Sequence, residues 1–169
     1  MLKGLPVKRL EATIPRCRYD RTLALTKKRF RLSESGEGTG LVEVEAPSLE
    51  QFARRKFKGI TSLTIALAED RCVVEGEGDF FLFRGRFRAE GRLVSPNGRR
   101  IELSDARITL NGEPAKPNLA TALTSVLNPI LDLDADLNLQ GAMDVVTIHL
   151  RNNRLVAEGR ARIPALSAQ

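Results

Sequence analysis

Few residues in this chain are of types that do chemistry, and their spacing is unhelpful to most reactions. The single histidine, His149, stands in a segment with the alternation of a strand and beside no recognisable nucleophile motif, so no Ser-His-Asp or Cys-His constellation is assembled around it. Its reading is structural. Asp132, Asp134 and Asp136 recur at i, i+2 and i+4, the opening spacing of a calcium loop. A loop of the EF-hand type wants glycine at its sixth position and glutamate at its twelfth; counted from Asp132 those places hold Leu137 and Met143, and the match fails. The alternate aspartates of the 131–137 run read instead as the wet side of an extended strand. Gly36-Glu37-Gly38 and Gly76-Glu77-Gly78 lack the later glycine and the Lys-Ser/Thr of a phosphate-binding loop, and their acids would repel phosphate. Cys17 and Cys72 have no CxxC or Cys/His spacing; both are read as free, buried thiols. No catalytic residue, metal site or cofactor is indicated, and the expectation is a protein that is not an enzyme.

One segment does have a chemical character. From residue 81 to residue 93, Phe81, Phe83, Gly85, Phe87, Ala89, Gly91 and Leu93 fall on one face of a period-two pattern, and Leu82, Arg84, Arg86, Arg88, Glu90 and Arg92 on the other. The first face is apolar with small residues that leave space above it. The second is a row of guanidinium groups suited to an anionic surface, where each arginine adds roughly 1 kcal/mol against an acidic bilayer. The competing reading is a solvated strand face paired with acids on a neighbour such as Glu102. Readers of single-stranded nucleic acid interleave aromatics with their cations, and here all three phenylalanines lie opposite the arginines, so nucleic acid is demoted.

The elements that must position these residues follow from periodicity. Strands are expected over 21–32, with a parity flip near Thr26 to Lys28 that suggests a bulge, and over 40–46. Ser48-Leu49-Glu50-Gln51 after Pro47 resembles a capping box, and Leu49, Phe52, Ala53 and Phe57 sit at helical spacing, predicting a helix over about 48–57. Leu63, Ile65 and Leu67, a turn at Glu69-Asp70, and the strand from Cys72 make a hairpin. The long strand ends at Ser95-Pro96-Asn97-Gly98, a hairpin signal, and 101–110 returns antiparallel with a parity change near Ser104-Asp105. Leu119, Ala122, Leu123, Val126 and Leu127 predict a helix from Pro117 or Asn118 to Leu127, stopped by Asn128-Pro129. Its other face, Thr121, Thr124 and Ser125, carries no charge, which predicts a largely enclosed helix. Residues 143–150 and 154–163 flank an Asn152-Asn153 turn, with Leu155, Ala157, Gly159, Ala161 and Ile163 on one side.

With 169 residues, 42% hydrophobic and 28% charged, the chain has the balance of a globular domain. A single domain spanning residues 1–169 is expected, α+β in class: a long, curled antiparallel β-meander wrapped around one or two amphipathic helices. The formal net charge of +6 favours anionic partners: nucleic acid, an acidic protein or an acidic bilayer. The first residues lack the apolar stretch of about 7–15 residues of an export signal, so the expected location is cytoplasmic or peripheral to a membrane, and the cell envelope if a leader has been trimmed.

The order of a helix ending Leu127-Asn128-Pro129, then Ile130-Leu131 and two strands around a polar turn, resembles the LmeA-like phospholipid-binding family of bacterial envelope proteins. The likeness also rests on the 59–67 segment, its turn and 72–76, on the 99–112 strand and on the 145–163 hairpin. What the resemblance implies is a non-catalytic binder of phospholipid, an acidic one, with no cofactor and with acyl chains between the 118–127 helix and the sheet. The apolar contacts would be Phe81, Phe83, Phe87, Leu119, Leu123, Val126, Leu127 and Ile130, and the head group or an anionic membrane surface would meet Arg84, Arg86, Arg88 and Arg92. In the residues alone two alternatives stand, an apolar groove beneath the helix or a helix that fills it as core. The function from a different class is a basic module binding nucleic acid or an acidic protein surface.

Overall fold

The computed structural model describes residues 5–19, 21–27, 32–80 and 83–163, the side chains at 23, 32–34 and 80 apart. In chain order the elements are β1 (Arg9–Thr13), β2 (Arg18–Tyr19), α1 (Arg21–Lys27), β3 (Leu32–Glu34), β4 (Gly38–Glu45), α2 (Ala46–Lys56), β5 (Ile60–Ala68), β6 (Arg71–Phe80), β7 (Phe83–Val94), β8 (Arg100–Leu110), β9 (Glu113–Pro114), α3 (Pro117–Leu127), β10 (Leu131–Asp132), β11 (Met143–Arg151) and β12 (Arg154–Ala161). One sheet has the order β1-β4-β12-β11; a second runs β10-β8-β7-β6-β5 with β9 beside β8; β2 pairs with β3. All pairings are antiparallel. The class is α+β with strand predominating, and among the described residues neither large sheet closes on itself.

The turns are made by residues that tolerate left-handed backbone. Asp70 joins β5 to β6 at φ 64°, and Asn152 and Asn153 join β11 to β12 at φ 50° and 59°, conformations in which Asn and Asp are the usual non-glycine residues. The parity change in β8 is a bulge: its register against β7 shifts between Glu90 and Arg92, and Asp105 takes φ 53°. A second bulge in β11 leaves Val146 66% exposed. The turn before β8 is not the two-residue hairpin that Asn97-Gly98 suggests. Gly98 is left-handed at φ 72°, but the Asn97 side chain accepts hydrogen bonds from the Arg99 and Arg100 N–H groups, so the loop is wider and Asx-type.

Residues 21–27 form a helix where alternation predicts a strand. Leu25 is 72% exposed, so no buried sheet face rewards the alternation, and Arg, Leu, Ala and Lys are all good helix formers. Phe30 and the later half of the expected strand lie outside the described side chains. At α2 the expected capping box is also absent. Glu45 is the N-cap, without a side-chain bond, and Pro47 occupies the first turn, where a missing N–H is harmless. The Glu50 carboxylate, freed from capping, accepts from the Ile65 N–H at 2.8 Å; Asn153 Oδ1 accepts from the Leu67 N–H at 3.0 Å. Together they cover part of the open edge of β5, which would otherwise invite strand addition.

The core is one contiguous cluster drawn from both sheets and from α2 and α3. α2 lies against β4 and β5 at once, burying Ala46, Leu49, Phe52 and Ala53, and so ties the sheets together. Full burial of each large apolar side chain stabilises by roughly 1.5–3 kcal/mol. The small inward residues of the two sheets do not line a groove. Gly91 seats Leu103, whose Cδ1 would lie 3.0 Å from an added Cβ, and Gly76 seats the Phe87 ring, whose Cζ would lie 3.1 Å away. Ala157, Gly159 and Ala161 belong to the other sheet, on β12.

Candidate functional site

β7 turns Phe87, Ala89 and Leu93 into the interior, all buried, while Phe83 is half-buried. α3 packs against β8 and brings Leu123 and Leu127 down onto this surface. The seam so formed encloses a void of about 10 Å³ lined by Phe87, Ala89, Ile108, Leu123, Val126 and Leu127. Beside it lies an apolar cavity of about 30 Å³, to which Leu127 and Ile130 contribute together with Leu49, Ala53 and Phe57 of the α2 segment and Ile65, Leu93, Leu103 and Leu155 of the sheets. About 10–15 Å³ is the least that admits a single water molecule. As they stand, these spaces hold a methyl group, not an acyl chain.

The attachment of α3 is slight for an element covering such a seam. Among its described residues only Leu123 and Leu127 are buried, Leu119 and Ala120 are partly so, and Val126 is 49% exposed. On the uncharged face Thr121 and Ser125 are exposed and Thr124 is partly buried, so the face is not enclosed. Two of its three hydroxyls are satisfied within the helix: Thr124 Oγ1 donates to the Ala120 carbonyl and Ser125 Oγ to that of Thr121. Polar anchorage lies beyond the C-terminal end. The Asn128 side chain accepts from the Leu103 N–H at 2.9 Å and donates to the Leu103 carbonyl at 3.0 Å, mimicking a strand pairing on β8. Lys56 Nζ then donates to the Pro129 and Ile130 carbonyls and pairs with Asp136 at 2.5 Å, lying over the Phe52 and Phe57 rings. No protein-family model, curated protein or solved structure matches this chain.

Arg84, Arg86 and Arg88 point away from the seam, through the sheet from α3. Opposite them on β6 stand Asp79, Glu77 and Glu75, and each arginine pairs with its acid: Arg84 with Asp79 at 3.6 Å, Arg86 with Glu77 at 3.0 Å, and Arg88 with Glu75. Glu90 is shared by Arg88 at 3.3 Å and Arg71 at 2.5 Å. The neighbour supplying the acids is thus β6 and not Glu102, which faces Val94. The Arg71 and Arg88 hydrogen bonds hold the Glu90 carboxyl below its ordinary pKa. Arg92 is exposed and faces Ser104. The Glu75-Gly76-Glu77-Gly78-Asp79 run, unpromising as a phosphate loop, is the acidic rail of this ladder, with its glycines inward.

The aspartate run is a turn and not an extended strand beyond Asp132. Asp136 N–H donates to the Asp132 carbonyl and Asn138 N–H to that of Asp134, burying Leu131, Leu133 and Leu137. The carboxylates are all engaged: Asp132 Oδ1 accepts from the Asp134 and Ala135 N–H groups and Oδ2 from Arg100, Asp134 takes Arg99 and the Gly141 N–H, and Asp136 takes Lys56 and the Asp132 N–H. The Ala135 N–H bond, with help from Arg100, lowers the Asp132 pKa. Among the described residues no group of His, Cys, Asp and Glu is placed to hold a metal ion, and no helix is long and apolar enough to cross a membrane. Both thiols are free, but Cys17 is exposed; Cys72 is buried, and burial pushes its pKa up to about 12. His149 is exposed on β11, opposite Val156.

Of the residues expected at an apolar site, Phe87, Leu123, Val126 and Leu127 meet around one void, and Ile130 joins Leu127 at the neighbouring cavity. Phe83 and Leu119 lie partly buried against the core; Phe81 falls outside the described residues. Sequence reasoning missed Ile108, Lys56 and Asn128. Ile108 follows the bulge that resets parity, and the other two act through backbone carbonyls and amides that no motif announces.

Proposed function

We propose that this chain is a non-catalytic binder of phospholipid that takes an acyl chain into the seam between α3 and the inner face of β7 and β8. One observation carries the reading: a helix without a single charged side chain covers an entirely apolar seam while its own Val126 stays 49% exposed. Because the voids are about 10 and 30 Å³, α3 must lift for a chain to enter, and the β5–β8 sheet then curls about the helices at its bulges. Each methylene buried there stabilises by roughly 0.8 kcal/mol, against the displaced contacts of Leu123 and Leu127. The ladder of Arg84, Arg86 and Arg88 takes no part in gripping that lipid, since it lies on the far face and is neutralised by β6. The order of elements by which the sequence resembles LmeA-like proteins is in keeping with the same reading.

The test is a native mass spectrum of the full chain after incubation with vesicles of phosphatidylglycerol and phosphatidylcholine. A retained mass of phospholipid size, lost on denaturation and absent from Val126→Asp, is the expected result. Val126 is half-exposed, so that variant keeps the fold while placing a carboxylate at the seam. A bare polypeptide mass, or equal retention by Val126→Asp, overturns the proposal.

A further inference from the structure

The positive charge of this chain is not spread over it. Ten of its 27 Lys and Arg residues, but only Glu11 and Asp20 of its 21 acids, fall among residues 1–31, so that segment carries a formal +8 and the remainder −2. The body of the protein is accordingly ion-paired, as in the β6–β7 ladder; in the N-terminal segment Lys8 pairs with Glu45 and Arg9 with Glu11, and Arg16, Arg21 and Lys27 are exposed in and around α1. Apolar side chains stand out in the same stretch: Leu25 is 72%, Leu10 53% and Tyr19 52% exposed. These are three of the five large apolar side chains most exposed among the described residues.

We infer that the β1–α1 segment is a docking surface for an anionic lipid bilayer. Cations alone would suit any polyanion. The accompanying Leu10, Leu25 and Tyr19 discriminate, because leucine gains nothing from a phosphate backbone but buries methylenes at the boundary of head groups and acyl chains. A strand of nucleic acid would instead be held by stacked aromatics, and Tyr19 is the one exposed aromatic described here. The surface is separate from the α3 seam and stands whether or not that seam admits a chain.

Flotation of the full chain with vesicles tests it. Vesicles with about one-third phosphatidylglycerol should bind the protein and pure phosphatidylcholine should not, at roughly fivefold in affinity per basic residue. The variant Arg16→Gln/Arg21→Gln/Lys27→Gln should lose on the order of a hundredfold, and Leu25→Ser about tenfold, both with unchanged circular dichroism because all four positions are exposed. Absence of binding to acidic vesicles, or binding unchanged in the triple variant, overturns the inference. So does a single-stranded oligonucleotide that binds more tightly than the vesicles and is indifferent to Leu25→Ser, which would make nucleic acid the partner.

Discussion

Replacing Asn128 by alanine isolates the anchorage of α3. The side chain makes two hydrogen bonds, 2.9 and 3.0 Å, to the N–H and carbonyl of Leu103, on the side of β8 that β7 does not pair there. Each is worth about 1 kcal/mol net, and the half-buried position lets water satisfy part of what is exposed, so the expected loss is about 2 kcal/mol. For a chain of this length that corresponds to a fall in Tm of about 4–8 °C. The loss should not be uniform. An eleven-residue helix is marginal on its own, and with its end released α3 should open more readily than the sheet. Guanidinium denaturation gives the global value, and hydrogen exchange read by mass spectrometry gives the local one, with exchange over 117–127 accelerating more than over β7. Asn118→Ala, at the exposed start of the same helix, should stay within about 0.5 kcal/mol. A change below about 0.5 kcal/mol for Asn128→Ala, or exchange in α3 no faster than in the parent, would refute the view that this clamp holds the helix down.

Three further outcomes are expected. Arg86→Glu with Arg88→Glu places like charges opposite Glu77 and Glu75 and should lower Tm while leaving lipid retention unchanged; adding Glu75→Arg and Glu77→Arg should restore the Tm, and failure to do so would mean the ladder is not what these residues contribute. At pH 8 a thiol reagent should label Cys17 promptly and Cys72 only on unfolding, since the latter is buried with its pKa near 12; rapid double labelling would contradict the packing. Asp132 has a lowered pKa in the folded state, so it stabilises the fold above its ordinary value of 3.8, and that contribution disappears as pH falls through the folded-state value. Asp132→Asn should therefore flatten the acid limb of a Tm-against-pH curve, and an unchanged limb would show that its bonds are replaceable.

Where a residue's neighbours in sequence decide its structure, the chain is legible. The alternation along β7, the helical spacing of Leu119 to Leu127 and the Asn152-Asn153 turn all reappear in space, because each depends on a local period or a local backbone preference. Three kinds of feature escaped. The alternation before Lys27 is that of a strand, but Leu25 meets no sheet and a helix forms instead. The gap suggested by Gly91 is filled by Leu103, which approaches from β8. The acids that neutralise the arginine row come from β6, a matter of register that alternation on β7 alone does not specify. For the seam, Phe87 and the stripe of α3 were foreseeable, whereas Ile108 and the Asn128 clamp depend on a bulge and on backbone groups of β8.

The most direct measurement is photolabelling with a phosphatidylglycerol that carries a photoreactive group within one acyl chain, followed by peptide mapping of the intact, folded chain. The account predicts labels on α3 and on the inward residues around Phe87 and Ile108. Labels confined to the Arg84–Arg92 face or to residues 5–27, or none at all, would contradict an acyl chain in the seam.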